Sequence, residues 1–376
     1  MRQIRTWAPL ALAAALLAAC GGGGGDTTPR AQITSVKVMG DSLADSGTFG
    51  YKFTIKTADV QIYPERIASS YGVAALCPAF VATSATTFVR NPTAGCTNYA
   101  IGGGRINTLA SDPTETSPVS IVAQLKVAGG ENAYTATDLL IVDGGGNDAA
   151  DLVRAYLGAG QGQPTPYLTL LSTLLPPATV QAAAAQGAAG FAQIGGTYMT
   201  ALADKFADAI KANALDKGAT HVAVLNMPVI TNTPQFQAAL DQIAAASGGG
   251  TAGATARAQA EGLFNSWFVA FNTELATKFA GNASVAVIDF YTSFNDEIAA
   301  PAQYSLTNVK VPACGATAFP ACTDTLLSAQ TPPADSDGTP NWWKSYAFAD
   351  SFHPTPYGHD LLARYITRGL SQAGWF

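Results

Sequence analysis

ITSVKVMGDSL, residues Ile33 to Leu43, is the stretch whose reading decides the fold. Ile33 to Met39 is a short β-rich run and reads as a first strand. It runs directly into Gly40-Asp41-Ser42-Leu43. A serine on the turn after the first strand stands at the carboxyl end of the sheet, where open α/β folds bind ligands. Serine is also a frequent helix N-cap, and the tetrapeptide alone does not separate the two roles.

Further along the chain, Asp138 to Asp143 (DLLIVD) is an apolar run ending in Gly144-Gly145-Gly146, and reads as a buried parallel strand. Thr220 to Asn226 (THVAVLN), stopped by Pro228, and Ser284 to Phe290 (SVAVIDF) read the same way. Between them lie segments with apolar residues at helical spacing: Val60 to Tyr71, Phe191 to Leu215, Ala256 to Phe279 and Pro356 to Gln372. Strands alternating with helices give an α/β fold: a three-layer α/β/α sandwich with a mostly parallel sheet. Residues 149–190 and 301–341 fall outside the pattern, and we read both as loop insertions near the mouth of a site.

Three later segments decide what Ser42 is for. Asn98-Tyr99-Ala100-Ile101 leads into Gly102-Gly103-Gly104, Gly145-Gly146-Asn147-Asp148 follows the strand DLLIVD, and Asp350-Ser351-Phe352-His353 stands near the end. With Gly40-Asp41-Ser42, these are four ordered blocks, and the chain resembles the GDSL, or SGNH, hydrolases from residue 33 to 371. The resemblance implies a flavodoxin-like SGNH fold and serine esterase or lipase chemistry. Ser42 is then the nucleophile, His353 its base and Asp350 the carboxylate that orients the imidazole. The oxyanion donors are the Ser42 N–H, the Asn147 side-chain amide and a glycine N–H of the second block. Counting from Asn98 selects Gly103, with Gly102 the alternative.

Competing readings fall on local chemistry. The Gly-x-Ser-x-Gly elbow is absent, no Gly-Lys-Ser/Thr follows a glycine run, and the first turn lacks Gly-x-Gly-x-x-Gly. No cofactor is expected, nor a metal, because His and Cys spacing offers no ligand set. The expected reaction is hydrolysis of a carboxylic ester through an acyl-enzyme on Ser42. An acyltransferase with an alcohol acceptor uses the same intermediate. A non-catalytic surface lipoprotein that binds lipid or glycan is the reading from another class. Of the other candidates, His221 and His359 read as structural and Asp41 as support for the serine turn; Asp45 and Asp148 could orient parts of the site, although Asp148 reads better as a cap for the following helix. Asp143 is either a buried partner or a strand end. Trp342-Trp343 either lines an acyl pocket or packs under a loop.

The N-terminus reads as an address. Arg2 and Arg5 precede an Ala/Leu-rich stretch that is too short to span a membrane as a mature helix. It ends in Leu17-Ala18-Ala19-Cys20, which resembles a bacterial lipobox. Residues 1–19 are then a signal peptide, Cys20 the lipidated residue, 20–31 a glycine-rich tether and 32–376 one catalytic domain. By the same resemblance, Gly21 implies the outer membrane or cell surface. Export favours disulfides among Cys77, Cys96, Cys314 and Cys322. Three pairings are open; we favour Cys77–Cys96 and Cys314–Cys322, each bracketing a Gly/Pro-containing loop.

Composition agrees with a large buried core. Of the 376 residues 48% are hydrophobic and only 12% charged, against roughly 25% charged in ordinary soluble domains. That excludes a disordered chain or a coiled coil. The net charge of −6, with no Lys/Arg run, argues against a nucleic-acid partner.

Overall fold

The computed structural model describes residues 31–376. The expected signal peptide, Cys20 and all but the end of the tether lie outside these residues. Six strands and eleven α-helices are formed among the described residues. In chain order they are β1 (Ser35–Met39), α1 (Tyr63–Ser70), β2 (Phe80–Ala82), β3 (Phe88–Arg90), α2 (Ile121–Glu131) and β4 (Asp138–Val142). Then follow α3 (Gly146–Gly160), α4 (Thr165–Leu171), α5 (Pro177–Ala185), α6 (Gly187–Asn213), β5 (Val222–Leu225), α7 (Pro234–Ala246) and α8 (Gly250–Lys278). The chain closes with β6 (Val285–Ile288), α9 (Phe290–Ala299), α10 (Asp324–Ser328) and α11 (Pro356–Gln372).

The central sheet has the order β1-β4-β5-β6, with every pairing parallel. Beyond β1, the irregular segment Thr97–Tyr99 takes the place of a further edge strand. The Val38 N–H donates to the Thr97 carbonyl and the Tyr99 N–H donates to the Val38 carbonyl. The only other paired strands among the described residues are the small antiparallel hairpin β2–β3.

Apart from Asp138 at the start of β4, which pairs with Lys37, the central strands are apolar because both faces are covered. Along β4, Leu140 and Val142 enter one core with α2, α3, α6 and α8, whereas Leu139 and Ile141 enter another with α1, α9 and α11. This two-residue alternation makes the α/β/α layers. Parallel strands also bring all four carboxyl ends to one edge, and that edge carries the site.

The two proposed insertions turn out differently. Residues 149–190 are largely helical, in α3, α4, α5 and the start of α6, rather than loop. Their apolar residues Tyr167, Leu171 and Val180 thicken the larger helical layer. The Leu, Ala, Pro and Gly richness of this stretch marks helices punctuated by prolines at their first turns, at Pro166 and Pro177. Residues 301–341 are mostly irregular and wrap a third, smaller core of Ile55, Leu327, Trp342, Trp343 and Tyr346. The tryptophan pair is packing: both side chains are buried and donate to Leu327 O and Ser328 Oγ. The cysteines form Cys77–Cys96 and Cys314–Cys322. No helix among the described residues is long and apolar enough to cross a membrane.

Candidate active site

Ser42 follows β1, Asn147 opens α3 after β4, and Asp350 and His353 lie on the loop before α11. The sheet edge gathers them from positions 311 residues apart, and the His353 Nε2 lies 2.7 Å from Ser42 Oγ. His353 Nδ1 is 2.9 Å from Asp350 Oδ2 and 3.0 Å from Oδ1. The three-residue spacing has a local reason. Asp350 Oδ1 also accepts the backbone N–H of Phe352 and of His353, so one carboxylate both folds the turn and faces the ring. Burial pushes the Asp350 carboxyl up, but the hydrogen bonds and charge of His353 outweigh it and hold the group below its ordinary value.

The serine turn is fixed by buried polar groups. Gln124 of α2 accepts the Gly40 N–H and donates to the Gly40 carbonyl. Asp143, at the end of β4, accepts the Asp41 N–H, while the Tyr63 hydroxyl donates to its other oxygen at 2.7 Å. Gly40 must be glycine here, because an added Cβ would fall 1.6 Å from Asp143 Oδ1. Asp143 is therefore a buried partner. Burial, and then the charge of Asp41, push its carboxyl well above the ordinary range. Asp41 accepts the Leu43 N–H at Oδ1 and lies 3.4 Å from Asn147 Nδ2 at Oδ2.

The glycine loop is held by carboxylates as well. Asp45 accepts the N–H groups of Gly47 and Thr48 at Oδ1 and that of Gly102 at Oδ2, 2.8 Å away. Gly104 donates its N–H to the Ile101 carbonyl. Of the three glycine N–H groups, only that of Gly103 has no acceptor among the described residues; the same holds for the Ser42 N–H. Gly103 has a φ of 79°, and its carbonyl accepts from Arg105 Nη1, whose Nε is bonded to Asp151 of α3. Asn147 donates one amide hydrogen to Gly104 O at 3.0 Å, leaving the long contact to Asp41 for the other.

Asp148 departs from the helix-cap reading. Its carboxylate turns away from α3 and accepts the N–H groups of Ile106 and Asn107, just beyond the glycine loop. Burial raises its pKa to about 6 despite those donors. Asp45, which the sequence offers as able to orient parts of the site, is bonded to the glycine loop. Arg105 and Gln124 went unassigned because polar residues of these types are ordinarily surface features; the burial of Gln124 and the half-burial of Arg105 come from the tertiary fold.

A family model described as GDSL-like Lipase/Acylhydrolase matches residues 36–366. The chain belongs to this family. GDSL-like proteins are esterases, lipases and acylhydrolases, so the protein is a hydrolase of that general kind, built on the α/β SGNH fold. No curated protein matches the chain at a significant level.

The remaining histidines of the GDSL-like domain sit apart from Ser42. His221 packs edge-on against Trp375. His359 is fully buried, accepts the Tyr63 N–H at Nδ1 and has no partner at Nε2. Burial, helped by the charge of His353, drives its pKa down to about 3, so it stays neutral. Behind the serine turn lies a partly open cavity of about 70 Å³, walled mainly by apolar residues such as Leu225, Ile230, Phe290 and Phe348. Glu297 lines it, hydrogen-bonded to the Tyr365 hydroxyl, and burial lifts its pKa to about 7.

Proposed function

We propose that the protein hydrolyses carboxylic esters through an acyl-enzyme on Ser42. The observation that carries this reading is the unbroken line Ser42 Oγ, His353 Nε2, His353 Nδ1, Asp350, beside two N–H groups without acceptors. In it, His353 Nε2 takes the Ser42 proton as Oγ attacks the carbonyl carbon. The tetrahedral oxyanion accepts from the N–H of Ser42, the N–H of Gly103 and the amide of Asn147. The carbonyl re-forms, the ester C–O bond breaks, and His353 returns its proton to the departing alcohol. Water, deprotonated by the same imidazole, then attacks the acyl carbon; the acyl–Oγ bond breaks, Ser42 Oγ recovers the proton from His353 Nε2, and the acid leaves. Asp350 keeps Nδ1 protonated and stabilises the imidazolium.

Ser42→Ala is the direct test. It should abolish ester turnover and labelling by a fluorophosphonate while the circular dichroism stays that of the parent. Turnover within about tenfold of the parent would remove Ser42 from its role. Adding a competing alcohol during turnover separates hydrolysis from transfer.

We also propose that the chain is exported and anchored by a lipid on Cys20. The lipobox-like Leu17-Ala18-Ala19-Cys20 and the two disulfides support this, since such bridges persist in oxidising compartments. Cys20→Ser should move the protein from membranes to the soluble fraction.

A further inference from the structure

Phe53 lies directly on Gly102, the neighbour of Gly103, where a Cβ would come within 2.3 Å of its Cζ. The same ring lies tilted against His353, with centroids 5.2 Å apart and planes inclined by 31°. Phe319 meets His353 edge-on at 5.9 Å and Phe53 edge-on at 6.4 Å. Both phenylalanines are only partly buried, unlike Phe206, Phe264 and Phe271 of the core. Phe319 also rests on the third core and Phe53 on Phe49, and together the two rings present an apolar surface beside the imidazole.

Their positions are fixed from several sides. The Thr54 hydroxyl donates to the Pro354 carbonyl at 2.9 Å, tying Phe53 to the histidine loop. The Lys56 N–H donates to the Cys322 carbonyl, and the Asp324 N–H to the Lys56 carbonyl. The segment carrying Phe53 is thus laced to the loop closed by Cys314–Cys322, on which Phe319 stands.

We propose that Phe53 and Phe319 form the subsite for the alcohol portion of the ester, and that it selects aromatic or bulky apolar alcohols. This rests on the acyl-enzyme reading above. The reason is the path of the proton. When the tetrahedral intermediate collapses, the C–O bond to the alcohol breaks and its oxygen takes the proton from His353 Nε2. That oxygen must lie within hydrogen-bond reach, about 3 Å, of Nε2. Whatever substituent it bears therefore meets the rings that flank the imidazole, and aromatic rings favour stacked or edge-on aromatic partners.

The test compares two series of esters: one acid esterified with ethanol, cyclohexanol or benzyl alcohol, and ethyl esters of acids of increasing length. Fluorophosphonate titration of Ser42 normalises each variant to its active fraction. In Phe319→Ala, the benzyl-to-ethyl ratio of kcat/KM should fall about tenfold, with the ratios among the ethyl esters held within about twofold. The double variant Cys314→Ser with Cys322→Ser should reproduce that signature, and Phe319→Tyr should restore the parental ratio. An unchanged benzyl-to-ethyl ratio would make the rings mere packing. A change in the acid-length ratios instead would assign the wall to the acyl chain. If the parent shows no Ser42-dependent turnover, the acyl-enzyme reading itself fails, and this subsite with it.

Discussion

Around Ser42 and the glycine loop, backbone N–H groups are held by buried carboxylates: Asp143 for Asp41, Asp45 for Gly102, Asp148 for Ile106 and Asn107. Around the His353 ring stand one ionic partner, Asp350, the Ser42 hydroxyl, and the rings of Phe53, Phe319 and Phe352. The nucleophile half is therefore set by charge-assisted hydrogen bonds, which fix direction as well as distance. The base half is set by a single carboxylate, that of Asp350, together with ring packing. The difference matches what each half must do. Oxyanion donors have to be aimed before the charge appears, whereas the imidazole carries its own proton between partners. Burying so many acids on one side raises their pKa values, so the arrangement trades electrostatic strain for orientation.

Breaking each half should give distinguishable results. His353→Ala should lower kcat by roughly 10⁴-fold or more with little change in Tm, because members of such a relay act as a unit. A loss under about 100-fold would mean another base serves Ser42. Asn147→Ala should cost roughly 10²–10³ in kcat if its amide meets the oxyanion. A change confined to KM would place Asn147 in ground-state binding instead. Asp45→Asn probes the scaffold behind the donors. An amide at this position cannot accept all three N–H groups, so kcat should drop by about tenfold while KM moves less. If KM rose with kcat intact, the glycine loop would serve substrate capture rather than the transition state.

A further effect, on stability and not on turnover, lies away from the chemistry, at Glu297. Its folded pKa of about 7 stands above the ordinary 4.5. Its contribution to stability is therefore fully present below about pH 4.5 and is lost as pH rises through 7. Glu297→Gln removes that loss. At pH 8 the variant should be more stable than the parent by up to about 3 kcal/mol, and the gap should narrow toward pH 5. Thermal denaturation at both pH values reads this, and a parallel shift at both would rule out titration as the cause.

The four signature blocks were legible because each sits where an apolar strand or a proline-punctuated loop stops, and periodicity shows such stops. The 149–190 stretch was misread for the opposite reason: its helices are short, Ala-rich and weakly patterned, so they resemble loop until packing against α3 and α6 is visible. Asp148 was misread because an acid in the first turn of a helix ordinarily serves that helix. Here the donors lie some 40 positions earlier in the chain.

By itself, the sequence determined the layered α/β order, the family and the residue types of the candidate site, since all three are written in local pattern and spacing. Only the tertiary structure decided how those residues are held and which donors are open. It engaged the N–H groups of Gly102 and Gly104 and left that of Gly103 without an acceptor. It also brought Phe53, 300 positions earlier in the chain, against the ring of His353. Hydrogen-bond partners and ring contacts between segments hundreds of positions apart depend on how the chain closes in space, and no local pattern encodes that closure.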